Sequence, residues 1–350
     1  MRSTPAVSEA FASGRVDRRR LALLTVRYGL FLALGLWIVA MTIASEHFLS
    51  WLNFLNVARQ AAPVVIVAVG MTFVMATAGI DLSVGSLVAL VSVLSAAGLT
   101  AGLPVWFMIP AVLVVGTVTG LVNGVFVRLG LPAFVVTLAA LTYLRGIAFV
   151  ISDGYAVPIR DDVFIWFGRG QISEIHVPIV LAVAVALVGY VVLNKTRFGL
   201  YALAVGGREE AARAMGIDVG RIKLAVYAGV GFLAAVGGIV ATARLGNGSP
   251  NAGIMFELDV IAATVLGGTS LFGGFATIGG TVAGALFINF VRNGLNLLGV
   301  NPFWVQVVTG VILLLAVLVN TVVNRRVTEW ARLAGAEAEP TVEAEKEYET

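Results

Sequence analysis

The chain has 350 residues, of which 59% are hydrophobic and only 12% charged. Soluble domains carry roughly 25% charged residues, and several apolar runs here approach the ~20 residues that cross a bilayer; an ordinary water-soluble protein is excluded. Cysteine is absent and the two histidines, His47 and His176, lie far apart in sequence, which excludes disulfides and catalytic thiols and leaves no expected metal site. The alternating pattern of a membrane β-barrel is also missing, so the expected fold is all-α, a polytopic membrane protein.

In chain order, residues 1–20 form a basic tail with Arg15, Arg18, Arg19 and Arg20 just before the first apolar run. That run is too long for a signal peptide and lacks a small-residue cleavage site after it. The expected spans are 21–43, 61–79, 83–101, 105–127, 133–151, 177–194, 224–245, 258–272, 275–297 and 304–323. These make about ten transmembrane helices in two pseudo-repeated halves. With the N-terminus cytoplasmic, most Lys and Arg fall on the inside, whereas Arg59, Arg145, Arg160, Arg169, Arg244 and Arg292 remain outside; the positive-inside rule favours this orientation. Both termini are then cytoplasmic. Residues 44–60, with Trp51, Phe54 and Leu55, read as an interfacial helix, and 152–176 as a long, solvated outer loop. The tail 327–350 is acidic and lacks an apolar period.

Two spans read as broken. Within 71–90, Asp81 sits between apolar runs flanked by Gly79 and Gly85, and Asp81 and Ser83 are good N-caps for a helix starting at Val84. Two readings stand open: an intramembrane carboxylate at a functional break, or a cap at the cytoplasmic interface. The second break, 266–280, carries glycines at 267, 268, 273, 274, 279 and 280. Gly-interrupted spans in corresponding places of two halves point to a transport path. Small and polar groups suited to a hydroxylated cargo are Thr72, Thr77, Ser83, Ser86, Asn123, Thr137, Thr269 and Ser270, with Gly267 and Gly268 at the second break. Gly116, Gly120 and Gly124, spaced by four, read as helix-packing positions.

One interval is polar amid all this. From Lys195 to Lys223 the chain is rich in charge, and Glu209 to Arg213 (EEAAR) is a helix-forming run stopped by Gly216. It reads as a short cytoplasmic helix presented as a handle for another protein. No nucleotide motif occurs: Gly189 to Thr196 lacks the second P-loop glycine, and Gly229, Gly231 and Ala234 lie inside a span with no preceding strand.

Four stretches carry a family likeness: GIDLSVGS at 79–86, NGVFVRLGLPAFVVTLAALTYLRGIA at 123–148, EEAARAMGI at 209–217 and VLGGTSLFGG at 265–274. In this order they resemble the permease subunits of ribose-type sugar ABC importers, over about residues 21 to 326. The resemblance implies a second permease copy, a cytoplasmic ABC ATPase subunit and an extracytoplasmic sugar-binding protein as partners. It also implies no cofactor bound by this chain, ATP and Mg residing on the ATPase. It assigns Glu209, Glu210, Ala211, Ala212, Arg213 and Gly216 to the ATPase-coupling loop, and Gly79, Asp81, Ser83, Gly85 and Ser86 to the permease signature. Where other importers reach a Leu-Pro pair after this loop, Lys223-Leu224 is followed by Ala225, which weakens a maltose-type reading. The alternatives are a branched-chain amino acid or nucleoside permease of the same build, an ion-coupled secondary transporter using Asp81, and, least, an intramembrane enzyme.

Overall fold

The computed structural model describes residues 34–301, 303–312, 314–315 and 317–318. The tails 1–20 and 327–350, and parts of the first and last expected spans, lie outside them. The described helices are α1 (Leu34–Ala44), α2 (Trp51–Ala76), α3 (Val84–Thr100), α4 (Val105–Arg128), α5 (Ala133–Ser152), α6 (Asp162–Arg169), α7 (Val177–Lys195), α8 (Arg197–Gly207), α9 (Glu209–Ala214), α10 (Val219–Leu245), α11 (Phe256–Leu266), α12 (Ile278–Leu297) and α13 (Phe303–Ile312). Among them α2, α4, α5, α7 and α10 are long and apolar enough to cross a membrane.

The axis of the molecule is α2. Its stretch from Ala61 to Ala76 is buried throughout, because α7, α10, α11 and α12 all pack on it. The residues there are mostly Ala, Val, Ile and Gly, apolar on every side, as a helix enclosed by others must be. Ser50 starts the helix by accepting a hydrogen bond from the Asn53 N–H, and the chain stays helical through Pro63. The interfacial helix expected at 44–60 and the span expected at 61–79 are therefore one element. Only the Trp51 end, with Trp51, Leu52 and Phe54 exposed, behaves as the amphipathic surface segment the sequence suggested.

The second axial helix, α10, lies against α2, α3 and α4. Lipid offers no hydrophobic drive for helix association, so close backbone approach has to supply it. Gly116, Gly120 and Gly124 do this on α4. A Cβ on Gly120 would run into the Tyr227 carbonyl, and one on Gly116 would fall 2.6 Å from both the Gly231 oxygen and Ala235 Cβ. The same device joins the ends of α11 and α12, where Gly267 and Gly280 face each other with no room for a side chain on either.

Two connections differ from expectation. The segment 152–176, expected as a solvated outer loop, is structured: Asp161 caps α6 by accepting from the Phe164 N–H at 2.9 Å, Phe164 is fully buried, and α6 packs on α10. Short antiparallel pairs link β1 (Val157–Pro158) to β4 (Asn247–Gly248) and β2 (Gln171–Ile172) to β3 (Ile175–His176). Charges at both ends, Arg160, Asp161, Asp162 and Arg169, masked the short apolar run between them in the sequence.

The stretch after α10 is the larger surprise. Gly246 ends that helix in the left-handed conformation (φ 75°), and residues 246–255 then run down beside α3. Gly248 lies against Ala96 and the Ser92 carbonyl, the Ser249 N–H donates to Ser92 Oγ at 3.2 Å, and Gly253 meets the Gly85 carbonyl. From Ala96 to Gly85 is about 16 Å along a helix. Only then does α11 begin. Non-helical backbone at such depth survives where it is buried or lines a cavity and its polar groups are satisfied. Here Arg145 of α5 donates to the carbonyls of Pro250 and Ala252, both at 2.6 Å, and of Gly253 at 3.2 Å. Arg145, expected in an outer position, is thus a staple for the descending segment.

Candidate functional site

The two breaks read from the sequence meet. α2 stops at Ala76, where Ala78 takes a left-handed turn (φ 58°) and the Gly79 N–H returns to the Val74 carbonyl at 3.0 Å. Gly79 itself is needed for space, since a Cβ there would lie 2.8 Å from the Tyr227 hydroxyl. Across from it, the 267–277 segment turns through Gly268, Gly273 and Gly274, all at positive φ. The Gly274 N–H donates to the Ala76 carbonyl at 3.1 Å, which joins the breaks directly. One helix turn back, Thr72 and Thr281 share a hydrogen bond of 2.9 Å.

Asp81 is buried in the first break. Its Oδ1 accepts from the backbone N–H of Ser83 at 2.8 Å and from the Ser83 hydroxyl, whose oxygen in turn accepts from Asn123 Nδ2 at 3.0 Å. The expected Ser83 cap is not formed: Ser83 occupies the N-cap position of α3, but its side chain makes no capping bond because Asp81 takes it. The chain Asp81–Ser83–Asn123 ties the break to α4. The Ile80 carbonyl accepts from the Thr137 hydroxyl at 3.4 Å and from the Tyr227 hydroxyl at 3.1 Å. Gly85 faces the Glu257 carboxylate and the Gly253 carbonyl, and Ser86 is buried beside it. At the second break the Thr269 hydroxyl accepts from the Thr277 N–H at 3.2 Å, and Ser270 Oγ accepts from the Phe272 N–H at 3.2 Å. These residues cement two turns in place.

The polar handle sits directly on this junction. Glu209–Ala214 is a helix, α9, followed by Gly216 at φ +80°, as the EEAAR run and the glycine suggest. Ala212 is fully buried, whereas Glu210, Ala211, Arg213, Ala214 and Met215 are exposed. Glu209 bridges Arg213 at 2.6 Å and Lys223 of α10 at 2.8 Å. The Lys223 hydrogen bond, aided by Arg213, holds the Glu209 carboxyl below its ordinary range. At the other end of the handle Gly206 of α8 is pressed against the Ala76 carbonyl, with Gly274 N also inside contact range. α8 thus touches both breaks through backbone contacts.

At the far end of α2 and α10 lies a polar cavity of about 470 Å³. Its polar lining includes Gln60 of α2, Thr242 and Arg244 of α10, Asp259 of α11, and Asn289 and Arg292 of α12. Its inner wall is the tip of the descending segment, Ala252 to Phe256. Asp259 and Arg292 form a bidentate ion pair, supported by contacts of Arg292 to Thr309 Oγ1 at 3.4 Å. None of Asp81, Ser83, Ser86, Asn123 or Thr269 lines this space. The signal available in the sequence was Asn289, Arg292, Asn293 and Asn296, a polar stripe at helical spacing inside an apolar span. Arg292, counted above on the outer side, lies within α12, in the span expected at 275–297, and pairs there with Asp259.

A family model described as the permease component of branched-chain amino acid transport systems matches residues 53–317. The chain is 42% identical to the ribose import permease protein RbsC of Haemophilus influenzae over 295 residues, 83% of this chain and 91% of that one. It is also 42% identical to the Bacillus subtilis ribose import permease protein RbsC over 297 residues, 84% and 92% of the two chains. The L-arabinose transport system permease protein AraH of Escherichia coli is 39% identical over 293 residues, 83% and 89%. No solved structure matches the chain.

Proposed function

Since the chain belongs to the family of permease components of branched-chain amino acid transport systems, we propose that it is the membrane-spanning subunit of an ATP-driven sugar importer, moving a monosaccharide of the ribose or arabinose class. It resides in the inner membrane, multi-pass, with about ten spans in two halves and both termini cytoplasmic. It has no engine of its own. A separate ABC ATPase grips α9, a soluble binding protein delivers the sugar on the opposite face, and a second permease copy completes the channel. Near full-length likeness to ribose and arabinose permeases supports the sugar class over an amino acid or nucleoside.

The observation that carries the mechanism is the seat of the handle: α9 exposes Glu210, Ala211 and Arg213 while Gly206 backs onto Ala76 and Gly274. When ATP draws two ATPase subunits together, the paired handles follow. The push enters both breaks, and α10, which meets the handle at Lys223–Glu209, carries it toward the cavity. From Lys223 to Thr242 is about 28 Å of helix. The access of the path then alternates between the two sides, a shift between two packings rather than a continuous deformation.

The test is a pair of variants at the handle. Glu210→Arg abolishes sugar uptake and ATPase docking while the chain still accumulates in the membrane; uptake at the normal rate overturns the assignment. Ala211→Cys, the sole thiol in a cysteine-free chain, reacts with an impermeant reagent only after the cells are opened. Labelling from outside intact cells overturns the orientation.

A further inference from the structure

We propose that the polar cavity between α2, α10, α11, α12 and α13 is the site where the permease itself holds a neutral monosaccharide, with Thr242 and Asn289 as its recognising groups. The proposal rests on reading the chain as a sugar permease, and it adds the place and the residues. Its volume, about 470 Å³, lies within the roughly 300–1,000 Å³ of small-molecule sites.

The chemistry of the lining selects the ligand. Thr242 is 1% exposed, and its hydroxyl has no hydrogen-bond partner among the described residues, although buried polar groups are nearly always paired. Asn289 lines the cavity and uses its Nδ2 on the Ala285 carbonyl at 2.8 Å, a local contact within α12. Amides and hydroxyls both donate and accept, which matches sugar hydroxyls. Asp259, the only carboxylate among the described residues of the lining, is held at both oxygens by Arg292, so an ammonium group finds no free anion there. Phe256 is an apolar part of the inner wall.

The architecture makes the same assignment. The inner wall is a non-helical segment that descends about three turns of α3 before α11 begins, and Arg145 donates hydrogen bonds to three of its carbonyls. Interrupted helices whose backbone is exposed to a cavity are how transporters build substrate sites near the bilayer midplane. The cavity also lies at the end of α10 opposite Lys223, so a handle movement relayed by α10 bears on Thr242 directly.

The experiment uses the full chain in lipid nanodiscs and saturation-transfer NMR, which detects weak, fast-exchanging ligands. D-ribose, L-arabinose, L-leucine and adenosine are the probes. The expected result is transfer to at least one of the two sugars, weakened about fivefold to tenfold by Thr242→Val and by Asn289→Leu. Thr242→Ser retains it, since the hydroxyl is kept, and Glu210→Arg retains it although uptake is lost. Unchanged sugar binding in both Thr242→Val and Asn289→Leu overturns the cavity assignment and leaves the sugar-permease reading standing. Transfer to leucine or adenosine alone, abolished by those variants, overturns the monosaccharide class itself. No transfer to either sugar overturns the proposal, and normal sugar uptake by Thr242→Val within the assembled importer does so independently.

Discussion

At the Lys223 end of α10, Glu209 is shared between Lys223 and Arg213; Lys223 is 18% exposed, but Glu209 and Arg213 are 38% and 65% exposed. At the Thr242 end, Asp259 and Arg292 face each other with only 12% and 29% exposure. Both are acid–base contacts, yet the surroundings give them different work. An exposed pair is screened, contributes little and can be exchanged for a partner's charges, which suits a docking surface. A pair removed from water is costly to separate and holds helices in register, here α11, α12 and, through Thr309, α13.

The sharpest way to break this comparison is to remove one charge at the buried end. Asp259→Ala leaves Arg292 uncompensated and destabilises the fold by about 3–5 kcal/mol, seen as loss of monodisperse protein or a lower thermal midpoint in detergent. Replacing both, Asp259→Asn with Arg292→Gln, is much milder. Equal damage from the single and double variants ends the claim that the pair is a desolvated unit.

A smaller effect is expected where no charge is involved. Gly120→Val drives a side chain into the Tyr227 backbone and separates α4 from α10, at roughly 2–3 kcal/mol. Gly229, where a Cβ meets nothing, is the control: Gly229→Ala leaves the thermal midpoint where it was or raises it slightly. If the two substitutions behave alike, close packing is not what holds these helices.

The smallest effect belongs to the handle. Glu209→Gln costs about 0.2–1 kcal/mol locally and is read as faster amide exchange in α9. Because the folded state holds this carboxyl below its ordinary value, its contribution is fully present above that value and is lost as pH falls through the depressed one. The protection of α9 is therefore flat from neutral pH down to the ordinary carboxylate range and declines only below it. A decline that begins near neutrality contradicts the assignment to Glu209.

Much of the candidate site was legible from local pattern. The EEAAR run and Gly216 announce a short helix and its stop, and the two glycine-interrupted regions announce breaks, because helix propensity and positive φ are properties of a few adjacent residues. Gly116, Gly120 and Gly124 show their purpose through spacing alone. The continuity of α2 from Trp51 to Ala76 was hidden, since the polar residues Asn53, Asn56, Arg59 and Gln60 set 44–60 apart from the apolar run that follows.

What the sequence by itself determined is the class of object: a membrane-spanning helical chain, its interruptions, and a polar handle between spans, all consequences of hydrophobicity and backbone preference along the chain. What only the tertiary structure decided is which distant groups share a space. The junction of Ala76, Gly206 and Gly274, the descent of 246–255 under Arg145, and the pairing of Asp259 with Arg292 each join residues remote in sequence. No local pattern encodes such encounters, because a buried charge or carbonyl reveals its role only through the partner that satisfies it.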